Sequence, residues 1–381
     1  MYRAGFEIEF ITPAFIRGAD PTNVEIRAPS IKGAMRWWFR ALAGRYFGDN
    51  VENLSDAENE VFGSTSRASD VVIEVIPKSS PRNLHFKPCR VIDRNSKVAE
   101  LKYLWFSIML LSREKSGCQF QQYYPPGSKF EVIIKAQTEK SFKVALASIW
   151  ALINLGGLGF RSRRGAGSIK IVGGDLRELE RLALPSKLSS VKDIREGIEN
   201  CMEIIRQYVQ SRGYKEEKSP PRYPVLSSVY LSRVGYNDYL KALERFEGNY
   251  KKFRKKIFLH ERIVFGLPIK IKSNKKSNKK GKTGKKKDDN AKRILKNALP
   301  KTVRNDEKIN RIVDIILNGR RASPLLIGVV EINGKSYVRC SVLESSKLHP
   351  GIPDSLVKWD HIYEFLEDYL TMVWPKGGYS W

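Results

Sequence analysis

The chain has 381 residues, 41% of them hydrophobic, and 68 lysines and arginines against 41 aspartates and glutamates give a formal net charge of +27. This length predicts two domains, and the charge points to a polyanionic partner, nucleic acid first and an anionic membrane surface second. No run approaches the ~18 apolar residues of a membrane span, and the alternating start MYRAGFEIEFITP is typical of a strand rather than a signal peptide, so we expect no membrane partner and a cytoplasmic protein.

The first half of the chain carries the element order β-α-β-β-α-β. Strands are predicted at 6–11, 71–76, 130–136 and 168–172, and helices at 30–47 and 142–155. This order is that of the ferredoxin-like split βαβ unit, which pairs its strands in an antiparallel sheet. We therefore predict a ferredoxin-like domain over 1–180, followed by a helical connector over 181–222.

The second half repeats this order, and we predict a second ferredoxin-like domain over 223–381. Strands are predicted at 224–231, 325–331 and 336–343, and helices at 238–258 and 355–373. The last two strands flank Asn333-Gly334, a strong hairpin-turn signal. The sequence thus predicts an α+β protein of two tandem ferredoxin-like domains, with a helical, lysine-rich insertion at 267–320 in the second.

A short internal match supports a duplication. The first copy reads VFG at 61–63 and RASDVVIEV at 67–75, and the second reads VFG at 264–266 and RASPLLIGV at 321–329. Both copies follow a predicted helix and precede a predicted strand. We interpret the two halves as related domains.

The insertion of the second half contains the run KIKSNKKSNKKGKTGKKK at 270–287, with ten lysines and no acid. Such a run buries no apolar surface, and we predict disorder over 270–290. Two interpretations stay open: a solvated loop, or a non-specific phosphate contact with strong salt dependence.

The helix at 30–47 has an apolar face and a cationic stripe. At 100° per residue one face carries Ile31, Met35, Trp38, Leu42 and Tyr46. Lys32, Arg36 and Arg40 follow at i, i+4 and i+8 on another face. A solvated face is the usual interpretation, but the stripe has no acidic i+4 partner, which favours an anion that neutralises it. Trp37 lies beyond the stripe, where it either stacks a base or packs against a neighbouring element.

The second candidate site is GGLGFRSRRGAG at 156–167. Gly157-Leu158-Gly159 follows a helix, whereas a dinucleotide-binding loop follows a strand and opens a helix, and the loop has no P-loop motif. A nucleotide cofactor is therefore disfavoured, and we predict no cofactor. Arg161, Arg163 and Arg164 on a flexible glycine frame suit an extended phosphate backbone, because guanidinium groups grip phosphate bidentately. We expect the loop to become ordered only when these charges find partners; the alternative is a flexible surface turn.

Support for catalysis or a metal is weak. The four cysteines and four histidines are scattered, without CxxC or HExxH spacing, so no metal site is predicted. A metal-independent ribonuclease could use His85 or His260 as a general base. A lone histidine is more often structural, and we predict no catalytic residue.

Four motifs together resemble the RAMP superfamily of CRISPR-associated proteins, and within it the family of the first Cmr subunit, part of the type III-B RNA-targeting effector. They are TPAFIRGAD at 12–20, EIRAPSIKGAMRWWFRALAG at 25–44, ENEVFGS at 58–64 and GGLGFRSRRGAGS at 156–168. The resemblance covers mainly the first 170 residues. The second half matches through its element order and the stretch RRASPL.

The resemblance implies two RRM-like domains and a non-catalytic, RNA-binding role in antiviral defence. It implies that the subunit captures or positions single-stranded target RNA near the 3′ region of the guide, with guide RNA and other Cmr subunits as further partners. Carried over by position, the RNA-binding residues that the resemblance implies are Arg27, Lys32, Arg36, Arg40, Gly157, Gly159, Arg161, Arg163, Arg164, Gly165 and Gly167. Trp37, Arg320 and Arg321 complete the predicted RNA-binding residues. The alternative is a metal-independent RAMP endoribonuclease that processes CRISPR repeat RNA, since fold alone does not fix function.

Overall fold

A computed structural model describes residues 1–18, 24–83, 86–87, 90–91, 101, 103–105, 122–215, 217, 221–266, 283–304, 308–319, 322–347 and 349–374. The chain divides into two compact units. The larger unit contains Met1–Gly248, Leu325–Ser346 and Tyr369–Trp381, and the smaller contains Asn249–Pro324 and Lys347–Asp368.

The first sheet of the larger unit has the predicted ferredoxin-like topology. In chain order its part of the sequence forms β1 (Tyr2–Phe10), α1 (Ala28–Ala43), α2 (Val51–Phe62), β2 (Val71–Pro77), the two-residue strands β3 (Arg82–Asn83), β4 (Phe86–Lys87), β5 (Arg90–Val91) and β6 (Gln122–Tyr123), then β7 (Lys129–Ala136), α3 (Glu139–Leu155) and β8 (Ile169–Asp175). The four long strands pair antiparallel in the order β2-β7-β1-β8. The last strand of the unit thus lies beside the first, as the split βαβ arrangement requires.

Alternation along β1 explains which face of this sheet is covered. Phe6, Ile8 and Phe10 are fully buried. The glutamates between them point to the other face, where Glu7 pairs with Lys129 at 2.8 Å and Glu9 pairs with Lys170 at 3.0 Å. One face of the sheet is therefore apolar and packed, and the other is laced with ion pairs.

The second sheet repeats the topology of the first. The chain continues through α4 (Arg177–Arg181), α5 (Val191–Gln210), β9 (Val225–Ser232), α6 (Tyr239–Lys256), α7 (Thr283–Ala298), α8 (Lys301–Arg304), α9 (Ile309–Asn318), β10 (Leu325–Ile332), β11 (Lys335–Glu344), α10 (Asp360–Tyr369) and β12 (Leu370–Trp374). The strands pair antiparallel in the order β10-β11-β9-β12. The predicted pair of tandem ferredoxin-like sheets is confirmed.

The internal match occupies equivalent positions in the two halves. VFG ends α2 at Gly63, with φ of 79°, and ends a 3-10 helix at Gly266, with φ of 112°. Each RAS stretch then leads into the second strand of its own sheet, β2 from Val71 and β10 from Leu325. The repeated sequence thus occurs at the same two places in each half, the end of a helix and the start of the second strand of the sheet.

Two sequence predictions in the second half need correction. The helix predicted at 355–373 ends at Tyr369, and Leu370–Trp374 is a strand. This segment is rich in strand-forming residues, and pairing with β9 completes the sheet, so tertiary pairing overrides the helical pattern. Predicted disorder over 270–290 also fails at 283–290, which begins α7, while 270–282 lies outside the described residues.

The core of the larger unit is built around α3, which is buried on all sides. Residues from Ser141 to Leu155 are buried with the exception of Lys143. The helix contacts α1 and α5 as well as strands of both sheets. The predicted apolar face of α1 also lies in this core, since Ile31, Met35, Trp38 and Leu42 are at most 2% exposed.

The smaller unit has a core of its own. Leu295 on α7, Val303 on α8 and Ile312 on α9 belong to one buried apolar cluster. These apolar residues give the lysine-rich insertion a packed helical part. Within the described residues, no helix of the protein is both long and apolar enough to cross a membrane, and no three His, Cys, Asp or Glu side chains are grouped as metal ligands.

Candidate nucleic-acid interface

The glycine loop, residues 156–167, leaves the end of α3 and is fastened by backbone hydrogen bonds. The Leu158 amide donates to the Gly167 carbonyl at 2.8 Å, and the Gly167 amide donates to Pro13 at 2.9 Å. The Phe160 amide donates to the Phe15 carbonyl at 2.7 Å. The expectation that this loop orders only around a bound anion is therefore wrong: the backbone itself holds it.

Two glycines are needed for this packing. Gly167 has φ of 64°, and a Cβ there would overlap the Leu158 carbonyl. Gly159 has φ of 86°, and a Cβ there would lie 2.7 Å from the Phe15 carbonyl. Only glycine adopts these conformations without strain. Because the two glycines have no Cβ, the loop backbone can lie close to the backbone of Leu158 and Phe15.

The second half of the loop is tied to the other sheet of the same unit. The Gly165 amide donates to the Ile327 carbonyl at 2.9 Å, and the Ile327 amide donates to Arg163 at 3.2 Å. The Trp105 indole N–H donates to the Arg164 carbonyl at 3.0 Å. The backbone of Arg163 and Arg164 is thus fixed between β10 and a buried tryptophan.

A cavity of about 600 Å³ opens between the glycine loop and the first turn of α1. We call it the loop–helix cavity. It is lined by Phe15, Ile16, Arg17, Ile26, Arg27, Ser30, Ile31, Ala34, Gly157, Leu158, Gly159, Phe160 and Ser162. The lining combines an apolar floor with two arginines, two serines and the partly exposed ring of Phe160. The structure therefore brings two of the predicted motifs together.

The helix end at this cavity is electropositive. Arg27 is the N-cap residue of α1, no side chain caps the helix there, and no acidic residue occupies its first turn. Pro29 has no N–H group, and the Ser30 amide donates to the Arg27 carbonyl at 3.1 Å, so the attraction for an anion here comes from the positive end of the helix dipole. In addition, the Arg27 Nε is buried without a hydrogen-bond partner among the described residues. The cavity wall therefore offers both a helix N-terminus and a guanidinium donor.

Burial and mutual repulsion perturb the loop arginines. Burial, with the charge of Arg164 as a second cause, lowers the pKa of Arg161 to about 10 and also lowers the pKa of Arg163. The Arg161 guanidinium lies 5.8 Å from the centre of the Phe160 ring. A bound anion would raise the pKa of both arginines again, because an opposite charge nearby favours the charged form.

The cationic stripe on α1 has partners within the chain. Arg36 and Arg40 both pair with the carboxylate of Glu58 on α2, and Glu58 is only 3% exposed. The Lys32 ammonium donates to Ser69 Oγ at 2.6 Å and to the Val71 carbonyl at 2.9 Å. One carboxylate of the protein thus pairs with two cations of the stripe, and Lys32 bonds only neutral oxygens. An RNA contact by these three residues stays a prediction.

The stripe and the loop–helix cavity lie on different sides of α1. Ser30 and Ala34 face the cavity, whereas Lys32 and Arg36 face α2 and the start of β2. Trp37 packs edge-on against Trp38 at 5.1 Å between ring centres, and the Arg163 guanidinium lies 5.2 Å from the centre of the Trp37 ring. Trp37 thus has protein neighbours, and base stacking on it stays a prediction.

Other predicted residues fall elsewhere. Arg320, Arg321 and His85 lie outside the described residues. His260 belongs to the smaller unit, where it stacks on Phe258 and where burial lowers its pKa.

Arg17, Phe160 and Ser162 are polar or aromatic cavity residues that the sequence did not reveal as candidates. Arg17 stands in the motif TPAFIRGAD and Phe160 stands between two of the chosen loop residues. The motif letters could therefore have pointed to them, but only the fold places Arg17 opposite the loop.

Family models match two parts of the chain. The RAMP superfamily model matches residues 7–170, and the model of the Cmr1 C-terminal domain matches residues 308–373. The chain is 36% identical over 393 residues to CRISPR system Cmr subunit Cmr1-1 of Pyrococcus furiosus, with 100% of both chains covered. It is 41% identical over 179 residues to Cmr1-2 of the same organism, covering 45% of this chain and 96% of that one.

Solved structures show the same similarity. The crystal structure of Cmr1 from Pyrococcus furiosus in its apo form has a TM-score of 0.67 and 34% identity, covering 98% of this chain and 99% of that chain. A chain in the cryo-EM structure of the type III-B Cmr-beta complex bound to cognate target RNA has a TM-score of 0.60, with 96% of this chain and 98% of that chain covered. At 18% identity, that second match shows a shared fold.

Proposed function

Because the chain belongs to the Cmr1 family of the RAMP superfamily, we propose that it is the RNA-binding subunit of a type III-B Cmr effector. In this proposal it captures or positions single-stranded target RNA near the 3′ region of the guide and cleaves nothing itself. Guide RNA and other Cmr subunits are its further partners. A similar fold in a complex bound to cognate target RNA supports this proposal.

The loop–helix cavity is the observation that carries the proposal. It joins a helix N-terminus without acidic residues to Arg17 and Arg27, over an apolar floor. Phosphate groups suit the positive end of the helix dipole and the guanidinium donors, while the exposed Phe160 ring offers a face for a base. A strand of RNA carries both phosphate groups and bases.

Net charge supports a phosphate backbone as the ligand. The chain carries +27 in all, and the ten lysines at 270–287 leave about +17 elsewhere. Such an excess favours counterion release as the main source of affinity. We therefore expect binding that weakens steeply with salt.

The proposal is tested by titrating the full chain with a fluorescently labelled single-stranded RNA over a range of salt concentrations. The double variant Arg17→Ala/Arg27→Ala should bind more weakly, and its slope of log affinity against log salt should fall by about 1.4, at ~0.7 per lost phosphate contact. The matched control is Arg177→Ala/Arg206→Ala, which removes two exposed charges outside the cavity. The control should lose little affinity, and equal losses in both double variants would contradict a cavity site.

The predicted loop and stripe contacts are ranked by the same assay. Arg161→Ala should weaken binding more than Arg40→Ala, because Arg161 stands in the glycine loop beside the cavity, whereas Arg40 bonds Glu58 on the side of α1 that faces α2. The triple variant Arg161→Ala/Arg163→Ala/Arg164→Ala should lose more again. Unchanged binding in the triple variant would remove the glycine loop from the interface.

A further inference from the structure

The end of α3 is capped by side chains from β11. The Arg339 guanidinium donates to the carbonyls of Gly156 at 2.9 Å and Asn154 at 3.3 Å. The Ser341 hydroxyl donates to the Leu155 carbonyl at 3.0 Å. Arg339 and Ser341 are two residues apart on one strand, so they point to the same face. Three successive carbonyls at the helix end are thus satisfied by the second sheet.

The charge of Arg339 is buried and is balanced by this helix end. Arg339 is 1% exposed, and burial lowers its pKa to about 9, so the guanidinium stays charged at pH 7. Among the described residues no carboxylate forms an ion pair with Arg339, and the last turn of α3 has no basic residue of its own. The Arg339 guanidinium is therefore stabilised by the partial negative charge at the C-terminal end of α3.

The neighbouring strand makes room for this arrangement. Gly328 on β10 is the register partner of Arg339 on β11. A Cβ at Gly328 would overlap the guanidinium. The position is thus shaped for a long side chain that crosses to α3.

We infer that Arg339 is a positioning residue for the glycine loop, because it fixes the carbonyls from which that loop departs. Gly156 is the first residue of the loop, and Gly157 already lines the loop–helix cavity. The β11 strand thereby sets the geometry of a site to which it contributes no lining residue. The effect on RNA binding rests on the proposed function, whereas the effect on the loop does not.

Two readouts test this inference in the full chain: hydrogen exchange of the loop amides and affinity for labelled single-stranded RNA. Arg339→Met keeps the length of the side chain and removes its charge and donors. We expect exchange to accelerate at the Leu158 and Gly167 amides and RNA affinity to fall about tenfold, within the usual range of about 5–150-fold for coupled sites. Arg339→Lys retains the charge and should keep part of the loop-amide protection and part of the RNA affinity that Arg339→Met loses.

Two control variants separate positioning from general stability. Lys335→Met removes one exposed charge from the same strand, and Val338→Ala weakens the buried core beside Arg339. Neither should change loop exchange relative to the rest of the unit. A loss of loop protection in Val338→Ala equal to that in Arg339→Met would overturn the inference.

If Arg339→Met does not fold, Ser341→Ala and Arg339→Lys carry the test. Ser341→Ala removes only the bond to Leu155 and should accelerate loop exchange a few-fold. Unchanged loop exchange in both variants would overturn the inference. If the wild type binds no RNA while loop exchange responds as expected, the proposed function fails and the positioning role of Arg339 stands.

Discussion

Replacing Glu58 by glutamine tests whether the cationic stripe on α1 is an internal ion network. Glu58 is 3% exposed, and its partners Arg36 and Arg40 are 30% and 41% exposed. Breaking a fully buried pair costs about 3–5 kcal/mol. Here water reaches both arginines and glutamine keeps one acceptor, so we expect a loss of about 2–3 kcal/mol.

The free energy of unfolding is measured by urea titration, with tryptophan fluorescence as the signal. The matched control is Glu203→Gln, which removes an exposed carboxylate paired with Arg206 on α5. Exposed pairs contribute at most about 1 kcal/mol, so the control should change little. A Glu58→Gln variant as stable as the Glu203→Gln control would refute the interpretation of the stripe as an internal network.

Three further predictions concern the glycine loop and His260. Gly167→Ala should lower the free energy of unfolding by at least about 1–3 kcal/mol, the usual cost of a strained backbone, since its φ is 64°; a thermal melt as stable as wild type would contradict this. Labelled repeat RNA should stay intact with the full chain in EDTA under single-turnover conditions, and cleavage that is lost in His260→Ala would establish the ribonuclease instead. Burial lowers the pKa of His260 in the folded protein below its ordinary 6.5. As the pH falls, His260 is therefore protonated in the unfolded chain before it is protonated in the folded protein. The free energy of unfolding should be highest above pH 6.5 and should decrease as the pH falls towards the lowered pKa of the folded protein. His260→Gln should reduce that pH dependence, and an unchanged profile would contradict its assignment to His260.

The sheets could be predicted because their signals are local. Each signal occupies a few consecutive residues and indicates the element in which it lies. The signals are the alternation in β1, the Asn333-Gly334 turn, and each copy of the VFG and RAS stretches. The strand β12 was missed for the opposite reason. Leu370–Trp374 follows a helix without a break, and its strand conformation depends on pairing with β9.

The candidate site was predicted in part for the same reason. The glycine loop was predicted from its own sequence and Arg27 from the family resemblance, but local spacing does not reveal that Glu58 pairs with Arg36 from another helix. The role of Arg339 was also hidden, because a lone arginine in a strand pattern gives no sign of a helix end from the other sheet. Contacts between distant segments decided both cases.

The most direct test of the loop–helix cavity as an RNA site is photo-crosslinking of the full chain to single-stranded RNA that contains 4-thiouridine, followed by mass spectrometry of the linked peptides. We expect crosslinks in peptides that carry Phe160 or the first turn of α1, and we expect them to be strongly reduced in Arg17→Ala/Arg27→Ala. Crosslinks confined to peptides outside these two segments, and unaffected by that double variant, would contradict an RNA site in the loop–helix cavity.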